Sequence, residues 1–318
     1  MEYRTLGRTG IRVSQVSLGG WLTFGKTEDA RATAPIVRRA LELGINHIDT
    51  ADVYSLGRCE EVLGEVLGGV RRSSYVLASK VFWPTADGPN DRGLSRKHVH
   101  ETCAMSLRRL RTDYLDVFYC HRYDPDVPLE ETVAAMEDLV TQGKILYWGV
   151  SCWTSEQIRA ACAPARRHKP AVNQPPYNVF DRTIERDVLA TCAAEGLGTA
   201  VWSPMAQGVL TGKYLDGTPA GTRGANADLK PFLQKYLSSE CTAVVRRLTA
   251  IAREAGLTPA QLALGWCLRR PELSCVLVGA TSVAQIEETA AAAALPGDVL
   301  ARVEEAIRGA PQFDCANA

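Results

Sequence analysis

The sequence predicts an α/β fold: one (β/α)₈ TIM barrel filling residues 1–318, with an N-terminal β-hairpin and a long loop after the seventh strand. Two observations predict it. Eight short apolar runs alternate with longer segments of 3.6-residue periodicity, and the connections are short; that rhythm closes most simply into a barrel. A length of 318 residues also suits one such barrel, the usual single domain of that size.

The strand candidates are V-S-L-G-G (16–20), N-H-I-D-T-A-D (46–52), Y-V-L-A-S-K-V (75–81), L-D-V-F-Y-C-H-R (115–122), I-L-Y-W-G-V-S (145–151), A-V-N-Q-P-P-Y (171–177), G-T-A-V-W-S-P-M (198–205) and C-V-L-V-G-A (275–280). Most are continuous apolar runs, as parallel strands covered by helices require. Helix 96–111 follows Ser95, a candidate N-cap, and sets Val99, Cys103, Leu107 and Leu110 on one stripe. Segment 129–144 repeats the pattern with Val133, Met136, Leu139 and Val140, and 154–168 opens on Thr-Ser-Glu, a helix-start signal. The alanine run Ala290–Ala294 reads as a helix interior. Near the N-terminus, G-R-T-G lies between two short β-like segments and predicts a hairpin. Residues 206–238 are rich in Gly, Thr and Pro and lack periodicity. A loop that long in a compact domain is more often functional than structural, and after the seventh strand it falls at the barrel's C-terminal mouth.

Composition excludes several function classes. Lys plus Arg equals Asp plus Glu at 36 each, so no global field draws nucleic acid or an anionic membrane, although a local basic groove for one phosphorylated ligand stays open. Ten cysteines are scattered from Cys59 to Cys315 with no C-x-x-C, and the five histidines show no zinc-binding spacing. Reduced cysteines and no metal are expected. The N-terminus is charged from Glu2 and carries no apolar leader, and no apolar run is long enough to span a bilayer. A cytoplasmic protein is the expectation. A doubly wound dinucleotide fold would want G-x-G-x-x-G after its first strand; S-L-G-G-W-L-T-F-G has the wrong spacing.

The chemistry-bearing residues collect at three consecutive strand ends. Asp49 ends the second strand with Tyr54 in the loop behind it, Lys80 lies near the end of the third, and His121 ends the fourth. In a parallel barrel these ends are neighbours on one rim. A lysine beside a tyrosine is expected to lower the phenol's pKa, with Asp49 holding the lysine charged. Such a phenol can protonate a developing alkoxide while His121 orients the substrate oxygen. Lys80 could also serve a different class of enzyme as a Schiff-base nucleophile. Trp21, Trp83, Tyr123 and Tyr177 near strand ends suggest an aromatic substrate cleft.

These residues stand within G-I-N-H-I-D-T-A-D-V-Y, S-K-V-F-W, D-V-F-Y-C-H-R, Y-W-G-V-S-C-W, N-Q-P-P-Y-N and V-W-S-P-M-A-Q-G-V-L-T-G-K-Y. With them the chain resembles the aldo-keto reductase superfamily from Met1 to about Ala310. The stretches W-L-T-F-G, R-G-L-S-R-K-H, P-L-E-E-T-V-A-A-M and Q-L-A-L-G-W-C-L-R resemble the group of potassium channel beta subunits and their bacterial relatives. The resemblance implies an oxidoreductase that reduces an aldehyde or ketone with NADPH, Tyr54 acting as general acid and Asp49, Lys80 and His121 beside it. It implies Trp202 stacked on the nicotinamide, Ser151 and Gln174 on its carboxamide, and Gly20 and Trp21 near the nicotinamide ribose. Ser203, Pro204, Met205 and Lys213 would line the pyrophosphate region, Arg223 the 2′-phosphate, and Gly279, Thr281, Gln285 and Glu288 the adenine. A basic Arg223 favours NADPH over NADH.

Three positions depart from the group's pattern: Cys152 where relatives carry Asn or Arg, Thr289 where Asn is common, and His121 where animal channel subunits carry Asn. His121 completes the reductase set. The alternative implied by the same group is a cofactor-binding regulatory subunit with slow or no turnover, and homo-oligomers occur among such relatives.

Overall fold

The structure is a computed structural model that describes residues 1–26 and 28–314; Cys315 lies outside them. Among the described residues ten strands are present: β1 (Tyr3–Thr5), β2 (Arg12–Ser14), β3 (Val16–Gly19), β4 (His47–Asp49), β5 (Val76–Val81), β6 (Leu115–Cys120), β7 (Ile145–Val150), β8 (Val172–Asn173), β9 (Gly198–Val201) and β10 (Leu273–Val278). The last eight form a closed parallel barrel in the order β10-β3-β4-β5-β6-β7-β8-β9, and β1 pairs antiparallel with β2 as a separate hairpin. All eight predicted strand positions are occupied. Three, β4, β8 and β9, are at least four residues shorter than the apolar runs suggest. β8 stops at Asn173 because Pro175 and Pro176 have no N–H to give a ladder, and β9 stops before Ser203, whose φ of 54° leaves the extended region.

Among the described residues ten α-helices wrap the barrel: α1 (Ala30–Glu42), α2 (Arg58–Leu67), α3 (Arg96–Leu110), α4 (Leu129–Thr141), α5 (Ser155–Cys162), α6 (Val188–Glu195), α7 (Ser239–Glu254), α8 (Pro259–Leu268), α9 (Val283–Ala290) and α10 (Gly297–Ala306). Local chemistry starts them. The Ser95 side chain accepts from the His98 N–H to cap α3, and Thr154 with Gln157 forms a capping box that opens α5. Another box, Thr258 with Gln261, opens α8, which is buried on nearly every face.

Two helix ends correct the sequence expectation. α5 ends at Cys162, not near 168, because Pro164 has no N–H to continue the helical ladder and its ring would clash with the Ala160 carbonyl four residues back. The alanine run is not a helix interior: α9 ends at Ala290. Pro296 would clash with the Ala292 carbonyl four residues back if the helix continued, and that carbonyl instead accepts a hydrogen bond from the Gln15 side chain.

Two apolar layers result. Strands and helices bury the larger one, while Leu6 and Val13 of the hairpin join Val76, Ala78, Val117, Tyr119, Val172, Ala200 and Cys275 inside the barrel. The hairpin therefore plugs the N-terminal end, and Arg4 fastens it by donating to the carbonyls of Leu268, Arg270 and Leu273. Among the described residues every cysteine is free, no cluster could hold a metal, and no helix is long and apolar enough to cross a membrane. At the seam of plug and barrel, a Cβ on Gly198 would lie 2.6 Å from the Gly7 nitrogen and 3.0 Å from the Leu6 carbonyl carbon. Gly198→Ala is expected to destabilise the fold by about 1–3 kcal/mol through overpacking, read as a lower urea midpoint. An unchanged midpoint would show that the plug is not seated firmly.

Candidate active site

At the C-terminal mouth a cleft of about 1580 Å³ is lined by loops from around the barrel. Its floor is built on register. Asp49 of β4 pairs with Ala78 of β5, and Lys80 lies two residues further along the same inward face. The Lys80 ammonium, fully buried, donates to Asp49 Oδ2 at 2.5 Å, to the Thr50 carbonyl at 2.8 Å and to Tyr54 Oη at 3.1 Å. Asp49 Oδ1 accepts from Gln174 Nε2 at 2.8 Å, and the Ser151 hydroxyl donates to the Gln174 carbonyl at 2.8 Å.

Tyr54 reaches this floor through an unusual turn. Ser55, Leu56 and Gly57 follow it with φ of 52°, 52° and 87°, all left-handed. Such residues are costly without glycine and persist only where surroundings over-determine them. Here the Arg109 guanidinium sits against Gly57, where a Cβ would meet it at 2.7 Å. Arg109 in turn pairs with the buried Glu60, and Glu60 also accepts from Ser79, the neighbour of Lys80. One carboxylate thus braces both the turn and the strand.

Burial pushes the Tyr54 phenol up to about 12, with Lys80 drawing it down and Asp49 pushing it further up. This corrects the expectation of a lowered pKa, since desolvation outweighs the ammonium. The phenol is therefore fully protonated at neutral pH, as a proton donor must be. Burial works against the Lys80 ammonium, but Asp49 and Tyr54 prevail and raise its pKa above that of an ordinary lysine. An amine held charged has no lone pair for attack, so the Schiff-base alternative finds no support. His121 directly follows β6, its ring edge-on to Tyr54 at 5.8 Å. Burial, then Lys80 and Arg122, push its pKa well below the ordinary value, so the imidazole is neutral, and its Nδ1 is buried without a partner among the described residues.

The other expected residues fall into two groups. Trp21, Trp83, Ser151, Gln174, Trp202, Ser203, Pro204, Met205, Lys213, Arg223, Gly279, Thr281, Gln285 and Glu288 all line the cleft. The remaining three do not. Gly20 is a turn residue bonded to the Asp49 carbonyl and pressed on Cys59. Tyr123 packs edge-on against Trp153 at 5.0 Å, and Tyr177 is buried, stacked on Trp266 with its hydroxyl on Glu185.

Sequence reasoning missed Arg122, Gln207, Leu56 and Phe232, which also line the cleft. Gln207 lies within the quoted V-W-S-P-M-A-Q-G run, but only the fold shows that it links Ser203 Oγ, at 2.5 Å, to Arg223 Nη1, at 2.8 Å. Phe232 belongs to the predicted long loop, which contains short 3₁₀ turns and no α-helix. Its ring meets Trp21 edge-on at 5.1 Å, so the loop after β9 reaches past β10 to the loop after β3. Lys213 and Arg223 at this end have no carboxylate partner among the described residues, and burial lowers the pKa of each, for Lys213 with Arg223 adding to the effect.

A stability consequence follows from His121. Its folded pKa lies below the unfolded value, so the stability it carries is complete above about pH 6.5 and is lost as pH falls through that window, at about 1.4 kcal/mol per pH unit. The fall in urea midpoint from pH 7.5 to about 5.5 should be smaller in His121→Asn than in the parent. Equal slopes would mean that His121 is protonated in the native state.

Residues 15–308 match the aldo/keto reductase family. Proteins named as probable voltage-gated potassium channel beta subunits in Oryza sativa subsp. japonica and Arabidopsis thaliana are each 42% identical to this chain, with 98% of both chains covered. A protein of Schizosaccharomyces pombe, also named for a channel beta subunit, is 40% identical over 98% of this chain and 94% of its own. The closed barrel, the Asp49–Lys80–Tyr54 floor and the family match agree: this chain belongs to the aldo/keto reductase family.

Proposed function

We propose that this chain reduces an aldehyde or ketone to the alcohol with NADPH, Tyr54 giving its proton to the carbonyl oxygen. The observation that carries the reading is a neutral phenol 3.1 Å from a buried, paired ammonium and edge-on to a neutral imidazole, at the bottom of one cleft. The cleft suits a dinucleotide: Lys213 and Arg223, uncompensated among the described residues, offer charge for phosphates, and an indole, Trp202, lines the same cleft as Tyr54. Trp202 would take the nicotinamide face, with Ser151 and Gln174 at the carboxamide. Lys213 would hold the pyrophosphate, Arg223 the 2′-phosphate, and Gly279, Thr281, Gln285 and Glu288 the adenine end.

When bound, the cofactor supplies the hydride that reaches the carbonyl carbon. Tyr54 donates to the carbonyl oxygen and releases its proton as charge builds there, and the phenolate left behind is stabilised by Lys80. The neutral His121 offers one ring N–H to the same oxygen and fixes its position. Asp49 neutralises Lys80, so the ammonium stays in place through the cycle.

The relatives' names favour a second reading, a cofactor-binding subunit that docks on a membrane channel and turns over slowly. The two readings separate by rate, and an intact Asp49, Tyr54, Lys80 and His121 set supports the enzyme.

Purified protein should consume NADPH with 4-nitrobenzaldehyde, and Tyr54→Phe should cut kcat by about 10²–10⁴-fold while NADPH affinity holds. Absence of any Tyr54-dependent turnover across a broad carbonyl panel would defeat the enzyme reading. Arg223→Met should weaken NADPH binding about tenfold or more and leave NADH nearly unchanged, by fluorescence titration. Equal losses would remove the preference for NADPH.

A further inference from the structure

Resting on the reductase reading, we infer that the substrate is an anionic carbonyl compound, an aldehyde or ketone bearing a carboxylate that Arg122 receives.

Arg122 follows His121 directly and lines the same cleft. One guanidinium nitrogen, Nη1, donates to the His121 carbonyl at 2.7 Å, and the group lies over the Trp83 ring at 5.6 Å. Trp83 is in turn edge-on to His121 at 6.4 Å. Cation, indole and imidazole therefore form one continuous wall beside Tyr54. The side chain is half-buried and has no carboxylate partner among the described residues. The acid nearest in sequence, Asp124, is committed to the backbone N–H groups of Leu94 and Asp126.

Charge around the reacting end then sums simply. Lys80 and Asp49 cancel, His121 is neutral, and Arg122 remains as one uncompensated positive charge. Lys213 and Arg223, in the loop after β9, answer the phosphates of the cofactor, so Arg122 is left for the other ligand. A guanidinium with its fork partly free binds a carboxylate through two parallel N–H donors, and binds it more tightly where water is partly excluded. The cleft that Arg122 lines also carries apolar surface: Leu56 is 76% exposed and Phe232 44%, and Trp21 and Trp83 line it as well. A carboxylate joined to an aromatic or aliphatic body that carries the carbonyl meets both features.

The test compares 4-carboxybenzaldehyde with its neutral methyl ester, methyl 4-formylbenzoate, under NADPH. The parent should prefer the acid by tenfold or more in kcat/KM, mostly through KM, and the preference should shrink as salt rises. Arg122→Gln should lower the acid-to-ester ratio about tenfold, and Arg122→Lys should restore part of it. Equal rates on acid and ester in the parent, unaltered by Arg122→Gln, would overturn the inference and leave the reductase reading standing. A loss of NADPH affinity in Arg122→Gln with both aldehydes slowed alike would also overturn it, assigning the residue to the cofactor. If neither aldehyde is turned over in a Tyr54-dependent way, the reductase reading fails. Benzoate binding to the NADP⁺ complex then decides Arg122 by itself: tenfold weaker in Arg122→Gln supports the carboxylate site, and unchanged or undetectable binding refutes it.

Discussion

The buried pair of Lys80 and Asp49 sets the terms for everything at the mouth of the barrel. Taking both charges out of water costs several kcal/mol for each ion, and the fold recovers that cost only by satisfying every remaining lone pair and proton. The Thr50 carbonyl, the Gln174 amide and the Tyr54 hydroxyl supply those partners. A parallel barrel is well suited to the task, because neighbouring strand ends present side chains from distant parts of the chain at one level. Residues 49, 54, 80 and 174 meet there although 125 positions separate the outermost two. The proton donor is thus held by the same interaction that keeps the floor of the site together.

Strain is concentrated where that interaction is used. Of the non-glycine residues with left-handed φ among those described, Arg111 caps a helix; Leu22, Ser55, Leu56, Cys152, Ser203, Ala206 and Gln207 all lie in loops beyond the C-terminal ends of barrel strands. The rest of the barrel tolerates this because its plug and two apolar layers are well packed. Glu60 shows the coupling in a single side chain, joining the turn after Tyr54 to the strand that carries Lys80.

Periodicity located every barrel strand, and the strand ends brought Asp49, Tyr54, Lys80 and His121 together on chemical grounds before any fold was known. What the sequence could not convey was environment. The direction of the Tyr54 shift depends on desolvation, which no neighbour count in one dimension measures. Tyr123 and Tyr177 follow strand ends as Trp83 does, yet they turn into the helical layer, because a position after a strand does not determine which way a loop carries its ring. Arg122 escaped notice for the same reason: beyond the last ladder bond the alternation of faces no longer applies. Helix stops at Cys162 and Ala290 were more accessible, since Pro164 and Pro296 stand in plain view.

The hairpin that plugs the barrel has a consequence for biosynthesis. β1 and β2 leave the ribosome well before the surfaces that receive them, Gly198, Leu268, Arg270 and Leu273. β3 likewise waits for β10 to close the ring. A barrel whose β3 is completed only by β10 cannot settle strand by strand during translation. Leu6 and Val13 of the hairpin stay incompletely covered until Ala200 and Cys275 have been made. The nascent chain is thus a natural client for chaperones, and the finished protein gains its closed base only as a whole.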